Sequence, residues 1–142
     1  MFLLDTNLIS EIRKIKQGKA NPNVVDWFRS TSIEDFYTNP TVLMEIQRGI
    51  LRKKYKDPKQ FTALTNWYQN NVLKMLNGRI LNITPKTAEI CAKLHIPDPS
   101  PENDAWIAAS VIEHNLILVT RNTKDFEGLG IKLFNPFVEH SK

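Results

Sequence analysis

Four helix starts are written into this chain as residue pairs: Asn21-Pro22, Asn39-Pro40, Asp57-Pro58 and Thr84-Pro85. In each pair a short polar side chain suited to capping precedes a proline, whose fixed φ suits a first helical turn. The helices that follow are expected at Val24–Arg29, from Pro40 to about Lys54, from Pro58 to about Leu76 and from Pro85 to about His95. Val42, Leu43, Ile46 and Ile50 keep helical spacing in the second, and Asn77-Gly78 ends the third. Two more helices are expected over residues 7–15 and 103–115, the latter rich in alanine. Between the helices lie short apolar or β-branched runs, which read as strands: residues 2–4, Ile33–Thr38, Arg79–Ile83, Leu116–Thr120 and Lys132–Phe134. Short buried strands alternating with helices predict an α/β fold with a mainly parallel central sheet flanked by helices.

In such sheets, sites form beyond the carboxyl ends of the strands. Asp5 directly follows the first apolar run, and Thr120 to Asp125 follows a later one. Two more acids sit at the edges of apolar segments: Glu45 on the flank of the Val42–Ile50 stripe, and Asp104 in the first turn of the alanine-rich helix. Taken singly, each acid has a structural explanation. Asp5 and Asp104 suit helix starts, Glu45 a solvated flank and Asp125 a polar turn. Taken together, four acids from four distant segments would repel one another if the fold joined them. A hard cation with oxygen ligands, Mg²⁺ or Mn²⁺, is the natural counter-charge. Such a centre would make a water acidic enough to attack and neutralise charge on a phosphoryl transition state, with no side-chain nucleophile.

Other chemistries lack their residues. The histidines His95, His114 and His140 form neither a triad-like nor an HExxH spacing with the rest of the chain. There is no Walker A loop and no GxGxxG fingerprint. The single Cys91 excludes an internal disulfide, and its neighbours Ile90 and Ala92 suggest a buried helical thiol. The 142 residues fit one domain, 1–142, with no linker or repeat. With no basic leader and no membrane-length apolar stretch, a cytoplasmic protein with no membrane partner is expected. The net charge of +4 is a mild bias toward polyanions, concentrated in Arg48, Arg52, Lys53, Lys54, Lys56 and Lys59. That cluster reads equally as a phosphate-tracking surface or as a solvated helix end.

The runs Leu3-Leu4-Asp5-Thr6-Asn7-Leu8-Ile9-Ser10-Glu11, Met44-Glu45-Ile46-Gln47-Arg48-Gly49-Ile50 and Gly78-Arg79-Ile80-Leu81, with Asp104-Ala105-Trp106-Ile107-Ala108-Ala109 and Leu118-Val119-Thr120-Arg121-Asn122-Thr123-Lys124-Asp125-Phe126, resemble PIN-domain proteins. The likeness is to the VapC toxins of bacterial toxin–antitoxin pairs, including the FitB-like branch, and runs from Met1 to about Phe137. It implies a PIN fold, a Mg²⁺- or Mn²⁺-dependent endoribonuclease and a homodimer. It also implies inhibition by a cognate VapB-type antitoxin, in an assembly that binds operator DNA. Asp5, Glu45 and Asp104 match the three core acidic positions. Family members place the fourth acid at the position of either Asn122 or Asp125. Here the first is Asn, so the role passes to Asp125, with Asn122 in support. Thr6 and Thr120 match supporting polar positions, and Asn7 joins them as a group able to orient a water or phosphate. Arg48, Arg52, Lys53 and Lys54 are the candidate RNA contacts.

Two other readings fit parts of the chain. One is a catalytically weak PIN module that acts by binding RNA, or within a DNA-bound complex with its antitoxin. The other is a phosphotransferase with Asp5 as nucleophile. That chemistry needs a second Asp two residues on, where this chain has Asn7.

Overall fold

The computed structural model describes residues 1–140. Each of the four cap–proline pairs starts a helix. Asn21 caps α2 (Pro22–Ser30), Asn39 caps α3 (Pro40–Leu51) and Asp57 caps α4 (Pro58–Trp67), each by accepting a backbone N–H of the first turn. Thr84 and Thr87 cap α6 (Pro85–Leu94) reciprocally. The remaining helices are α1 (Thr6–Arg13), the single turn α5 (Leu73–Met75) and α7 (Glu102–Glu113).

The strands β1 (Phe2–Leu4), β2 (Phe36–Tyr37), β3 (Ile117–Val119) and β4 (Lys132–Phe134) form one sheet in the order β2-β1-β3-β4, parallel throughout. A parallel sheet must be covered on both faces. Leu3, Leu4, Leu118 and Val119 are accordingly solvent-free, and Phe36 stacks against Trp27 and Phe28 of α2. Cys91 is buried against Ala105 and Ala109, where small side chains let α6 lie close on α7.

Three expectations change. Ser32 caps a 3₁₀ turn over Ile33–Asp35, which shortens the expected strand 33–38 to β2. The run Arg79–Ile83 forms no strand. Its backbone pairs beside β2 through one bridge, between Thr38 and Ile80, and the Arg79 Nε donates to Phe36 O, so it stops as a tail on the sheet edge. The helix expected over 58–76 is interrupted by a π turn at Tyr68–Val72 that contains the weak helix formers Asn70 and Asn71. Tyr68 and Leu76 from this segment enter the core, with Phe61, Leu64 and Trp67 packed against it.

Candidate active site

The pairing Leu4↔Val119 sets β1 and β3 in register, so both chains leave the sheet side by side. Asp5 and Thr120 are the next residues. The Asp5 N–H donates to Val119 O at 3.0 Å, and the Thr120 N–H donates to Phe134 O at 3.0 Å. This fixes both backbones, and the Thr120 hydroxyl donates to Asp5 Oδ2 at 2.8 Å. Asp5 also accepts from the Thr6 N–H as the N-cap of α1, so capping and a site position coincide in one residue. Asn7 ties the junction together. Its Nδ2 donates to Asp5 Oδ2 and Thr120 Oγ1, and its Oδ1 accepts the Arg121 N–H.

Three other elements deliver the remaining acids. α3 brings Glu45, whose Oε1 accepts the Thr6 hydroxyl at 2.7 Å and whose Oε2 accepts Asn103 Nδ2 at 3.3 Å. The first turn of α7 brings Asp104, and the 3₁₀ turn Thr123–Phe126 brings Asp125. Asp5, Glu45, Asp104 and Asp125 line one cleft of about 350 Å³ with Thr6, Asn7, Asn122 and Phe126. Thr120 lies behind it, against Asp5. Sequence reasoning missed Asn103 and Phe126. Asn103 directly precedes Asp104 at a helix start, a polar pair that could have signalled its part.

Among the described residues no lysine or arginine side chain lines this cleft. The charge is therefore uncompensated. Asp104 is pushed up to about 6 by partial burial and then by the neighbouring Asp125, Asp5 and Glu45. Burial pushes Asp5 up too. The Thr120 and Thr6 hydrogen bonds oppose that rise, Glu45 reinforces it and Asn7 opposes it. The four acids ring the cleft, and no three of them, among the described residues, bring oxygens within 4.8 Å of one another. Mg²⁺ keeps several of its waters, so it does not require every protein oxygen to converge. An electronegative, oxygen-only cleft without a basic side chain fits a hard divalent cation.

A second cluster brings possible ligand atoms together, but its histidine is turned the wrong way for a metal. Ligand atoms of Cys91, His95 and Glu102 lie within 4.8 Å of one another. The Ser100 N–H, however, donates to His95 Nδ1 at 3.1 Å, which leaves the ring proton on Nε2. Nε2 is the atom that faces Glu102, at 3.5 Å. With its proton on Nε2, His95 offers a metal no lone pair there, and Nε2 makes no hydrogen bond to Glu102.

The candidate RNA contacts lie outside the cleft. Arg48 is exposed on α3, and Arg52, Lys53 and Lys54 lie in the exposed segment beyond it.

The PIN-domain family model matches residues 2–132. The chain belongs to the PIN-domain family. Among PIN-domain relatives, it is 31% identical to toxin FitB of Neisseria gonorrhoeae, over 96% of this chain and 99% of that one. It is 29% identical to VapC ribonuclease Y4jK of Sinorhizobium fredii, over 96% and 98%. The PIN fold superposes on the crystal structure of FitAcB from Neisseria gonorrhoeae with a TM-score of 0.84 at 30% identity, covering 96% of this chain and 99% of that one. It superposes on FitAB bound to a DNA fragment with a TM-score of 0.85 at 29% identity, covering both chains completely. Among the described residues no helix is long and apolar enough to cross a membrane.

Proposed function

We propose that this PIN-domain chain is the toxin of a type II toxin–antitoxin pair, a cytoplasmic endoribonuclease that works with Mg²⁺ or Mn²⁺. The observation that carries the reading is the cleft itself: four carboxylates from distant segments, with no cation among the side chains that line it. The relatives named as a VapC ribonuclease and a toxin support the substrate class and the biological role.

Asp5, Glu45, Asp104 and Asp125 hold the metal in this proposal. When bound, the cation supplies charge neutralisation at the scissile phosphate and acidifies an attacking water. The chain's own groups do the positioning. Thr120, the Thr6 N–H and Asn7 fix Asp5, while Thr6 and Asn103 clamp the two oxygens of Glu45. Asp104 and Asp125 accept no hydrogen bond from a side chain among the described residues, so their lone pairs stay open to the cleft. Arg48, Arg52, Lys53 and Lys54 hold substrate phosphates. A cognate VapB-type antitoxin is the expected inhibitor, and the toxin is expected to be a homodimer.

Purified, antitoxin-free protein incubated with total RNA, with and without Mg²⁺ and beside Asp5→Asn, tests the proposal. Discrete metal-dependent fragments, absent from the variant, are expected. A second reading draws on the DNA-bound FitAB neighbour: a weakly catalytic module that works within a regulatory complex on operator DNA. Intact RNA in every lane, from folded protein, would favour it.

A further inference from the structure

Tyr55 is 87% exposed, while every other Phe, Tyr and Trp is buried or half-buried. An aromatic ring is a large apolar surface, and leaving one in water forgoes its burial. Tyr55 stands in the segment that joins α3 to α4, where residues 51–59 are all exposed. This turn also carries Arg52, Lys53, Lys54 and Lys56, with Lys59 in the first turn of α4. Its one acid, Asp57, is occupied as the α4 cap, accepting the Gln60 N–H at 3.2 Å. None of these cations is in an ion pair among the described residues, whose salt bridges are Lys14–Glu11, His95–Glu102 and His114–Glu113. Lys54 Nζ lies 5.7 Å from the centre of the Tyr55 ring.

The turn is linked to the acidic cleft by α3. Glu45, Arg48 and Arg52 are spaced i, i+3 and i+7, so they lie along one helical stripe. The rise from Glu45 to Leu51 is roughly 9 Å at 1.5 Å per residue. A short single strand spans that gap.

We propose that the α3–α4 turn is a docking platform for single-stranded RNA. Tyr55 stacks on an unpaired base while Arg48, Arg52, Lys53 and Lys54 hold the phosphates that lead to the cleft. A wet aromatic among unpaired cations is how proteins grip single strands without reading sequence. A duplex keeps its bases stacked on one another and offers the ring no face. This inference rests on the ribonuclease reading for its biological meaning, and its test is separable from that reading.

The test is fluorescence anisotropy with a labelled 12-mer RNA in EDTA, so that nothing is cut, using the full chain. The 12-mer is presented either as a single strand or annealed to its complement. Tyr55→Ala should weaken single-strand binding by roughly 5- to 150-fold, the worth of one base–aromatic stack. Tyr55→Trp should restore binding, and duplex affinity should be unchanged by either variant. The Lys53→Ala/Lys54→Ala pair should instead lower the salt slope, by about 0.7 for each phosphate left without its cation. Wild-type single-strand affinity in Tyr55→Ala would overturn the proposal. So would a change in oligomeric mass by light scattering, which would make the turn a protein–protein interface. Normal single-strand binding that depends on Tyr55, in a wild type that never cuts RNA with Mg²⁺, would keep the platform and remove the ribonuclease.

Discussion

Replacing Asp104 by Asn removes a charge that the metal-free fold resists. Two effects oppose each other at this position. Asp104 lies in the first turn of α7, where the helix dipole favours an anion by about 0.3–1 kcal/mol. Against it stand partial burial and three other carboxylates, and these win, because the group is pushed up from 3.8 to about 6. At about 1.4 kcal/mol per pKa unit, the full shift corresponds to roughly 3 kcal/mol. Asp104 is part-exposed and solvent screens it, so about 1–2 kcal/mol is the realistic cost of the charge. For an acid whose folded pKa is raised, this penalty is absent below 3.8 and grows as pH rises toward about 6. Above that it is complete. In EDTA at pH 8, Asp104→Asn should therefore unfold about 1–2 kcal/mol later than wild type in urea, and the two should coincide near pH 3.5. Added Mg²⁺ should reverse the order by stabilising wild type preferentially, and the variant should not cut RNA. Equal stability at both pH values, or a variant less stable at pH 8, would refute the electrostatic account of the cleft.

Other perturbations separate the roles of neighbouring residues. Asp5→Asn should keep the α1 cap and lose cleavage, whereas Asp5→Ala should also lose about 1 kcal/mol of stability in denaturant titrations. Thr6→Val should free Glu45 Oε1 and lower Mg²⁺ affinity or cleavage roughly 10- to 100-fold with little effect on thermal unfolding. Changing Lys53 and Lys54 to Glu should reduce RNA affinity and flatten its salt dependence, as read from binding at several ionic strengths. Leu118→Ala, which opens a void at the centre of the sheet, should cost about 2–5 kcal/mol by urea unfolding.

What the sequence disclosed was whatever local chemistry decides. A capping side chain followed by proline fixes a helix start without help from the rest of the chain, and all four such pairs start helices. The strands at Phe2–Leu4 and Lys132–Phe134 were legible for a similar reason. Elements whose fate depends on neighbours were not legible. Arg79–Ile83 has strand-like residues, yet its backbone finds a single bridge, to Thr38, and a strand needs a ladder of partners. The π turn at Tyr68–Val72 buries Tyr68 and Val72, and the pair Asn70-Asn71 alone does not say that a helix will widen rather than end there. The four acids stood out by their positions at element edges. The clamp of Asn103 on Glu45 did not, because it exists only once α3 and α7 lie together.

The pairing of β1 with β3 also sets when the cleft can exist. Asp5 leaves the ribosome 115 positions before the Thr120 hydroxyl that orients it. β1 lies between β2 and β3, so one of its two partners is missing until β3 emerges. A nascent chain lacking β3 carries Asp5 and Glu45 without Asp125 and without the strand that aims Asp5. Pairings this distant in sequence form late in folding. The assembled carboxylate ring can thus exist only after β3 and the turn that carries Asp125 have both emerged.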